Sequence, residues 1–316
     1  MRVLVTGASG FVGAAVLHRL AGAGQAVRGA YRHSVPSVAA SAQGVSVGDL
    51  GAAQDWRAAL DGVDAVVHTA ARVHVMQDAA TDALAEYRRV NVEGTLNLAR
   101  QAAAAGVKRF VFLSSVKVNG EATGAGERFT ADDAPVPQDD YGISKWEAEQ
   151  ALREIAVHTG MAVVIVRSPL VYGPGVKANF AAMLRWLERG VPLPLGAVTY
   201  NRRSLVALDN LVDVIVTCLD HPAAANQTFL VSDGEDLSTA DLLKRMGLAL
   251  DRPARLFPLP SALLWAGATM LGKQGVCQRL CGSLQVDISK TRQLLGWSPP
   301  VTVDEGLRRT AEGFRQ

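Results

Sequence analysis

The sequence has few cysteines and almost no excess of charge of one sign. Only Cys218, Cys277 and Cys281 occur, too few for a disulfide framework, and Cys277 and Cys281 lack the neighbouring histidines or further cysteines of a metal site. Lys and Arg number 32 against 30 Asp and Glu, a net charge of +2, so no nucleic-acid partner is expected. Arg2 already begins an apolar strand pattern, so no signal peptide is expected. We therefore predict a metal-free cytoplasmic protein with buried thiols.

Long uncharged segments are also scarce. The longest uncharged run of the apolar segment 256–284 is 256–272, which is near the lower limit for a spanning helix and contains Pro258 and Pro260, so no integral membrane segment is expected. The wider segment 256–284 is nevertheless strongly apolar. Core packing or a subunit contact, as in a homodimer, is the favoured interpretation. A weak peripheral contact with a membrane or a lipid-linked substrate is the alternative.

The glycines most indicative of function lie near the beginning of the chain. Residues 1–6, MRVLVT, are typical of a buried strand and lead into TGASGFVG, after which apolar residues recur at helical spacing. Glycines between a strand and a helix are typical of a dinucleotide site. Gly7 permits the turn, Gly10 admits a pyrophosphate, and Gly13 lets the helix pack closely. A plain strand-to-helix turn is the weaker alternative.

Apolar runs and helical patterns alternate along the chain. Strands are predicted at 1–6, 25–31, 45–50, 64–68, 108–114, 161–167 and 228–231. This alternation predicts an α/β fold with a doubly wound parallel sheet of the Rossmann type. We expect residues 1–168 and about 205–232 to form a dinucleotide-binding domain. Residues 169–204 and 233–316 are expected to form a smaller, mixed, C-terminal substrate lobe.

Residues at the predicted strand ends indicate which dinucleotide binds. The second strand ends at Arg32, where folds that select NAD usually place an acidic residue. Because an arginine suits a 2′-phosphate, NADP is the expected cofactor and NAD the alternative. The other interpretation is that Arg32 is simply a solvated loop residue. Asp49 can meet the adenine amine at the end of the third strand. Small residues, Thr69, Ala70 and Ala71, leave room for the cofactor after the fourth strand.

A tyrosine and a lysine indicate the chemistry. Tyr141 and Lys145 are four residues apart in a predicted helix, 141–157, and therefore share a face. Such a pair alone is more often a solvated surface, but here Ser115 ends the preceding strand and a glycine loop lies upstream. An adjacent ammonium and the nicotinamide charge favour the phenolate. Lys145 can hold a nicotinamide ribose, and Ser115 can hydrogen-bond the oxygen on the carbon that exchanges hydride.

The glycine loop TGASGFVG together with YGISK, residues 141–145, resembles the extended short-chain dehydrogenase/reductases, the NAD-dependent epimerase/dehydratase family. Further segments that resemble family landmarks span nearly the whole chain: HTAA at 68–71, NVEGT at 91–95, VYGP at 171–174, RSLVALD at 203–209 and SKTRQLLGW at 289–297. The cofactor contacts expected from the residues and the resemblance together are Gly7, Gly10, Phe11, Val12, Gly13, Arg32, Asp49, Leu50, Thr69, Ala70, Ala71, Asn91, Tyr141, Lys145 and Pro169. The expected contacts to a UDP-sugar substrate are Lys117, Asn179, Arg203 and Arg279.

Departures from the family pattern narrow the expected reaction. Val116 and Lys117 stand where sugar-nucleotide dehydratases carry Asp-Glu, so dehydration is not expected, and Leu170 replaces the Asn usual in hexose 4-epimerases. The segments SVKVNGE at 115–121, HTAARVHVM at 68–76 and GVKANF at 175–180 resemble bacterial enzymes, both 4-ketoreductases and epimerases, that act at C4 of N-acetylated amino sugars in surface-polysaccharide synthesis. With Arg32 and Leu170, this resemblance implies NADPH-dependent reduction of UDP-4-keto-6-deoxy-N-acetylglucosamine to UDP-N-acetylquinovosamine. The alternatives are a 4-epimerase of UDP-glucose, UDP-N-acetylglucosamine or lipid-linked N-acetylglucosamine and, more remotely, a non-catalytic NADP-sensing regulator.

Overall fold

The computed structural model describes residues 1–35, 42–73 and 82–315. Its strands are β1 (Arg2–Thr6), β2 (Ala26–Tyr31), β3 (Ala42–Ser46), β4 (Ala65–His68), β5 (Arg109–Ser115), β6 (Ala162–Ser168), β7 (Leu170–Tyr172), β8 (Arg203–Ala207), β9 (Thr228–Leu230) and β10 (Asp236–Leu237). Its α-helices are α1 (Phe11–Gly22), α2 (Arg57–Leu60), α3 (Ala83–Tyr87), α4 (Thr95–Ala104), α5 (Asp140–Thr159), α6 (Ala178–Glu188), α7 (Leu208–Asp220), α8 (Thr239–Ala249), α9 (Ser261–Met270), α10 (Gln274–Cys281), α11 (Ser289–Leu295) and α12 (Val303–Arg315).

Seven strands form one parallel sheet in the order β3-β2-β1-β4-β5-β6-β9. The central strands are continuous apolar runs because helices cover both faces of the sheet. The order reverses between β1 and β4, and ligands of such sheets bind at the carboxyl ends of strands beside that reversal. The predicted doubly wound Rossmann-type sheet is therefore confirmed.

A smaller mixed sheet adjoins the first, in the order β10-β8-β7, with β8 antiparallel to β10 and parallel to β7. It packs with α6, α8, α10 and α12 around a second apolar core. The domain boundary expected near residue 205 falls inside β8. Residues of the C-terminal segment, including Val286, Leu295 and Trp297, pack into the core of the large sheet, because the chain returns to it after α10.

Two predicted elements differ from the observed ones. The third strand was expected at 45–50 but occupies Ala42–Ser46, because its register pairs Val27 with Ala42 and Tyr31 with Ser46. Asp49 therefore lies in the loop beyond the strand. The helix expected from Asn91 begins earlier, at Ala83, where Asp82 Oδ1 accepts a hydrogen bond from Ala85 N at 3.0 Å. A π-helical segment, Arg88–Gly94, then connects α3 to α4.

The apolar segment 256–284 forms α9 and α10 at the edge of the second core. Cys277 and Cys281 of α10 are buried, whereas α9 has no buried residue. Core packing therefore accounts for only part of this segment. Across the described ranges, every helix is too short or too polar to cross a bilayer.

Candidate active site

The loop between β1 and α1 forms a cradle that only glycine permits. Gly7 has a φ of +66°, and a Cβ there would lie 2.9 Å from Ala70 N. A Cβ on Gly13 would lie only 2.2 Å from Gly7 O, so this glycine lets α1 approach the loop. The cradle opens beside the amino end of α1, whose free N–H groups favour a bound anion. These residues fit the pyrophosphate of a dinucleotide.

One cavity of about 920 Å³ begins at this cradle and extends into the second lobe. The structure brings most of the predicted site residues to its wall: Gly7, Gly10, Phe11, Val12, Gly13, Arg32, Leu50, Thr69, Ala70, Ala71, Ser115, Lys117, Tyr141, Lys145, Pro169, Asn179, Arg203 and Arg279. Asp49 and Asn91 are not on this wall. The sequence patterns did not single out Met183 and Trp186, which α6 contributes to the wall; their helical spacing only indicated packing.

Ser115, Tyr141 and Lys145 share the cavity wall because β5 and α5 deliver them to the same end of the sheet. Ser115 ends β5, and its Oγ accepts a hydrogen bond from Lys117 N at 3.3 Å. The buried Lys145 Nζ donates to Leu113 O at 2.8 Å and lies 4.3 Å from the centre of the Phe112 ring. A seryl hydroxyl, a phenol and an ammonium in one cavity can hydrogen-bond a carbinol oxygen and move its proton.

The electrostatics of this set differ from the expectation based on spacing. Burial raises the pKa of Tyr141, and the nearby Asp139 and Tyr87 raise it further. Burial also lowers the pKa of Lys145 to about 7, although Glu149 opposes this shift. Desolvation is the largest of these causes, so the phenol is protonated at neutral pH in the protein by itself. The expected effect of the nicotinamide charge on the phenolate stays a prediction.

A buried polar network lies behind the catalytic residues, and the sequence analysis missed it. Glu149, one helical turn after Lys145, accepts two hydrogen bonds from Arg167 at 3.0 and 2.6 Å. It also accepts a 2.5 Å hydrogen bond from Ser114 Oγ. Arg167 donates onward to Asn119 Oδ1 at 3.1 Å. This network ties α5 to the ends of β5 and β6. The spacing of Glu149 from Lys145 was the only available signal.

Two arginines face the part of the cavity remote from the glycine loop. Arg203 begins β8, and Arg279 lies on α10. Burial lowers the pKa of Arg203, and repulsion from Arg279, which lines the same cavity, lowers it further. Neither has a carboxylate partner among the described residues. Two neighbouring cations without an anion form a suitable site for a diphosphate.

Lys117, a predicted substrate contact, reaches the cavity wall but is already paired. Its Nζ forms ion pairs with Glu121, at 3.0 Å, and with Asp139. Burial lowers the pKa of Lys117, but these hydrogen bonds outweigh burial and the net shift is upward. Asp139 also accepts a 2.7 Å hydrogen bond from Gly142 N at the start of α5. Lys117 thus stabilises the turn that precedes Tyr141.

Asn91, a predicted cofactor contact, is buried inside the protein. Its side chain accepts a 2.8 Å hydrogen bond from Arg72 N and donates at 3.0 Å to both Arg72 O and Ser144 Oγ. It therefore joins the loop after β4 to α5. This arrangement supports the cavity wall from behind, and a direct contact with cofactor stays a prediction.

Arg32 lies at the carboxyl end of β2, on the cavity wall, as its position in the sequence predicted. Its Nε is 3.4 Å from Asp49 Oδ1, and both side chains are largely exposed. Arg32 and Asp49 therefore form an ion pair at the edge where an adenosine ribose would lie. This pair was not foreseen, because the two residues come from separate strand ends.

Comparisons with known proteins agree with this geometry. The profile of the NAD dependent epimerase/dehydratase family matches residues 3–232. The chain is 49% identical over 317 residues to a UDP-glucose 4-epimerase of Vibrio cholerae, covering 99% of this chain and 95% of that one. It is 29% identical to the N-acetyl-alpha-D-glucosaminyl-diphospho-ditrans,octacis-undecaprenol 4-epimerase of Escherichia coli O157:H7, covering 98% and 94% of the two chains.

A solved structure of MoeE5 in complex with UDP-glucuronic acid and NAD is also similar. It superposes with a TM-score of 0.78 at 25% identity, covering all of this chain and 99% of that one. This chain belongs to the NAD dependent epimerase/dehydratase family, within the short-chain dehydrogenase/reductases.

Proposed function

We propose that the protein is a UDP-sugar 4-epimerase that retains NAD through its catalytic cycle. The observation that carries this proposal is the single cavity of about 920 Å³, whose wall includes the glycine cradle, the three catalytic candidates and the two arginines. A dinucleotide and a sugar linked to a nucleoside diphosphate can occupy such a cavity together. The 49% identity to the Vibrio cholerae UDP-glucose 4-epimerase supports epimerisation over the reduction that the sequence patterns favoured.

Each catalytic candidate has a defined task in this reaction. Bound NAD supplies the acceptor and donor of the C4 hydride, and a positive charge near Tyr141. Tyr141 Oη accepts the proton of the sugar O4 as C4 is oxidised, and returns it when C4 is reduced on the opposite face. Ser115 Oγ hydrogen-bonds the same oxygen, and Lys145 holds the ribose side of the cofactor. Arg203 and Arg279 retain the diphosphate while the 4-keto sugar turns over.

The Arg32–Asp49 ion pair supports NAD. A 2′-phosphate would need the positive charge of Arg32, but the Asp49 carboxylate 3.4 Å away partly neutralises that charge. We expect Arg32→Ala to change NAD binding by less than about threefold, because an exposed ion pair is worth only about 0–1 kcal/mol. Fluorescence titration of both variants with NAD and NADP tests this. A loss of tenfold or more in NADP affinity, with wild-type NADP binding tighter than NAD, would contradict it.

Direct assays distinguish epimerase from reductase. We expect UDP-glucose or UDP-N-acetylglucosamine, incubated with the protein and NAD, to give the C4 epimer by NMR without net cofactor consumption. NAD should be released when the purified protein is heat-denatured. The second candidate, a 4-ketoreductase, is favoured by Arg32 itself, since an arginine at this strand end suits NADPH. Consumption of NADPH with UDP-4-keto-6-deoxy-N-acetylglucosamine, and no epimer from either UDP-sugar, would establish the reductase instead.

A further inference from the structure

Helix α9 presents an unusual apolar surface. Its inner side packs against the second core through Leu264 and Trp265, but no residue of the helix is buried. On the outer side, Leu263 and Met270 are 58% and 87% exposed, and Leu271, just after the helix, is 72% exposed. Large apolar side chains at this exposure contribute little to folding. Their grouping at one helix indicates a surface that a membrane or another molecule covers.

The sequence around this surface carries charge of only one sign. Residues 252–286 contain no Asp or Glu. Arg279 lines the active-site cavity, and the other charged residues are Arg252, Arg255 and Lys273. These three are exposed, and none forms an ion pair within the described part of the chain. Apolar side chains flanked by unpaired cations complement the interface of an anionic bilayer, where acyl chains and negatively charged head groups lie at adjacent depths.

Helix α9 packs against α10, part of which forms the wall of the active-site cavity. Only Leu271, Gly272 and Lys273 separate α9 from α10, and Val276, Arg279 and Leu280 of α10 line the cavity. A phase that covered the outer side of α9 would therefore lie next to the arginine-lined part of the cavity.

We propose that the outer side of α9, formed by Leu263, Met270 and Leu271 with the flanking cations, docks the enzyme on the surface of an anionic phospholipid bilayer. The helix has 10 residues and is about 15 Å long, roughly half of the ~30 Å hydrocarbon core, so it lies in the interface. A second copy of the chain is a poorer occupant, because it would bring two sets of unpaired cations together. The proposal is independent of which sugar the enzyme converts.

Vesicle co-sedimentation of the full chain tests this docking. We expect the wild-type protein to sediment with vesicles of phosphatidylglycerol and phosphatidylcholine, much less with phosphatidylcholine alone, and less as salt increases. The triple variant L263Q/M270Q/L271Q should bind anionic vesicles at least about tenfold more weakly, because interfacial binding scales with the apolar area inserted. These three side chains do not line the cavity, so its UDP-sugar turnover without vesicles should match wild type.

The matched control is V157Q/L248Q, which changes two apolar residues that are 82% and 68% exposed on other helices. It should bind vesicles as wild type does. Absence of wild-type sedimentation, or equal sedimentation of the triple variant, would overturn the proposal. So would analytical ultracentrifugation showing that the triple substitution only dissociates a dimer, since the occupant would then be a second copy. Loss of epimerase activity in solution would bear on the proposed function and leave the vesicle result intact.

Discussion

At the scale of single residues, burial disfavours the charged forms of the catalytic side chains and so shifts their pKa values. Tyr141 has its pKa raised by burial, Asp139 and Tyr87, whereas the pKa of Lys145 is lowered to about 7. The protein alone therefore holds its phenol protonated. A positive charge brought by the bound cofactor is what would make Tyr141 a base at neutral pH, which couples cofactor occupancy to catalytic competence.

Removing the Tyr141 hydroxyl tests the proton-transfer assignment. We expect Tyr141→Phe to lower kcat by about 100-fold or more, the usual effect of losing a positioned acid and base. NAD content should stay near wild type, because the ring still packs. The measurement is initial rate of epimer formation together with NAD released on denaturation. Tyr200→Phe, a change at an exposed ring away from the cavity, serves as the control. Wild-type turnover in Tyr141→Phe would refute the role.

The arginine pair provides a second residue-scale prediction. Arg203→Gln should raise KM for the UDP-sugar by roughly 10- to 100-fold, since a hydrogen bond to a charged group is worth about 1.5–3 kcal/mol. The effect on kcat should be smaller. Arg202→Gln is the matched control, because this neighbouring arginine donates instead to the backbone oxygens of Thr199 and Asn201. If both variants shift KM equally, general charge and not diphosphate contact is responsible.

At the scale of elements, close packing of α1 against the loop after β1 shapes the cofactor end of the cavity. A methyl group at Gly13 would overlap Gly7 O at 2.2 Å and Thr69 Oγ1 at 2.6 Å. Gly13→Ala must therefore displace α1. We expect NAD to be absent from the purified variant and Tm to fall, because overpacking typically costs about 1–3 kcal/mol.

Gly22→Ala, in the last turn of the same helix, is the control for Gly13→Ala, since nothing lies within 4 Å of a Cβ there. It should retain NAD and be as stable as wild type or slightly more so. The experiment is differential scanning calorimetry with NAD quantified from the same preparations. NAD retained in full by Gly13→Ala would show that the close approach is not required.

At the scale of the whole molecule, a buried histidine links stability to pH. His68 lies between Thr6 Oγ1 and Thr95 Oγ1, at 2.7 and 2.9 Å from its ring nitrogens, so it connects β4 with β1 and α4. Burial, with a smaller effect of Lys145, lowers the pKa of His68 from 6.5 to about 3. In the unfolded chain the same ring titrates at its ordinary value.

Unfolding by acid should reflect this difference. Between pH 6.5 and about 3 the unfolded state binds a proton at His68 that the folded state does not, so stability is complete above pH 6.5 and is lost as the pH falls. As the pH falls through this range, the free energy of unfolding should decrease faster in the wild type than in His68→Gln. The difference between the two slopes should be up to ~1.4 kcal/mol per pH unit. Urea titrations at several pH values provide the comparison. Parallel pH profiles would show that His68 is not responsible.

The spacing of residues along the chain was enough to predict several features of this protein from its sequence. The glycine loop between a strand and a helix, the alternation of strands and helices, and the four-residue separation of Tyr141 and Lys145 each depend on neighbours in the chain. The Rossmann-type sheet and the glycine-loop and Tyr141–Lys145 parts of the cavity wall could therefore be predicted, whereas contacts such as Asn179 and Arg203 were implied by the family resemblance. The third strand was misplaced because its bounds follow from register with β2, which is a contact between distant residues.

Tertiary structure alone decided which side chains face the cavity and what they pair with. Asn91 turns inward to Arg72 and Ser144, Lys117 pairs with Asp139, and Arg32 pairs with Asp49. None of these pairings has a fixed spacing in sequence, because each joins segments that meet only after the sheet has formed. The same is true of desolvation, which depends on everything packed around a group and raises the pKa of Tyr141 in the protein by itself.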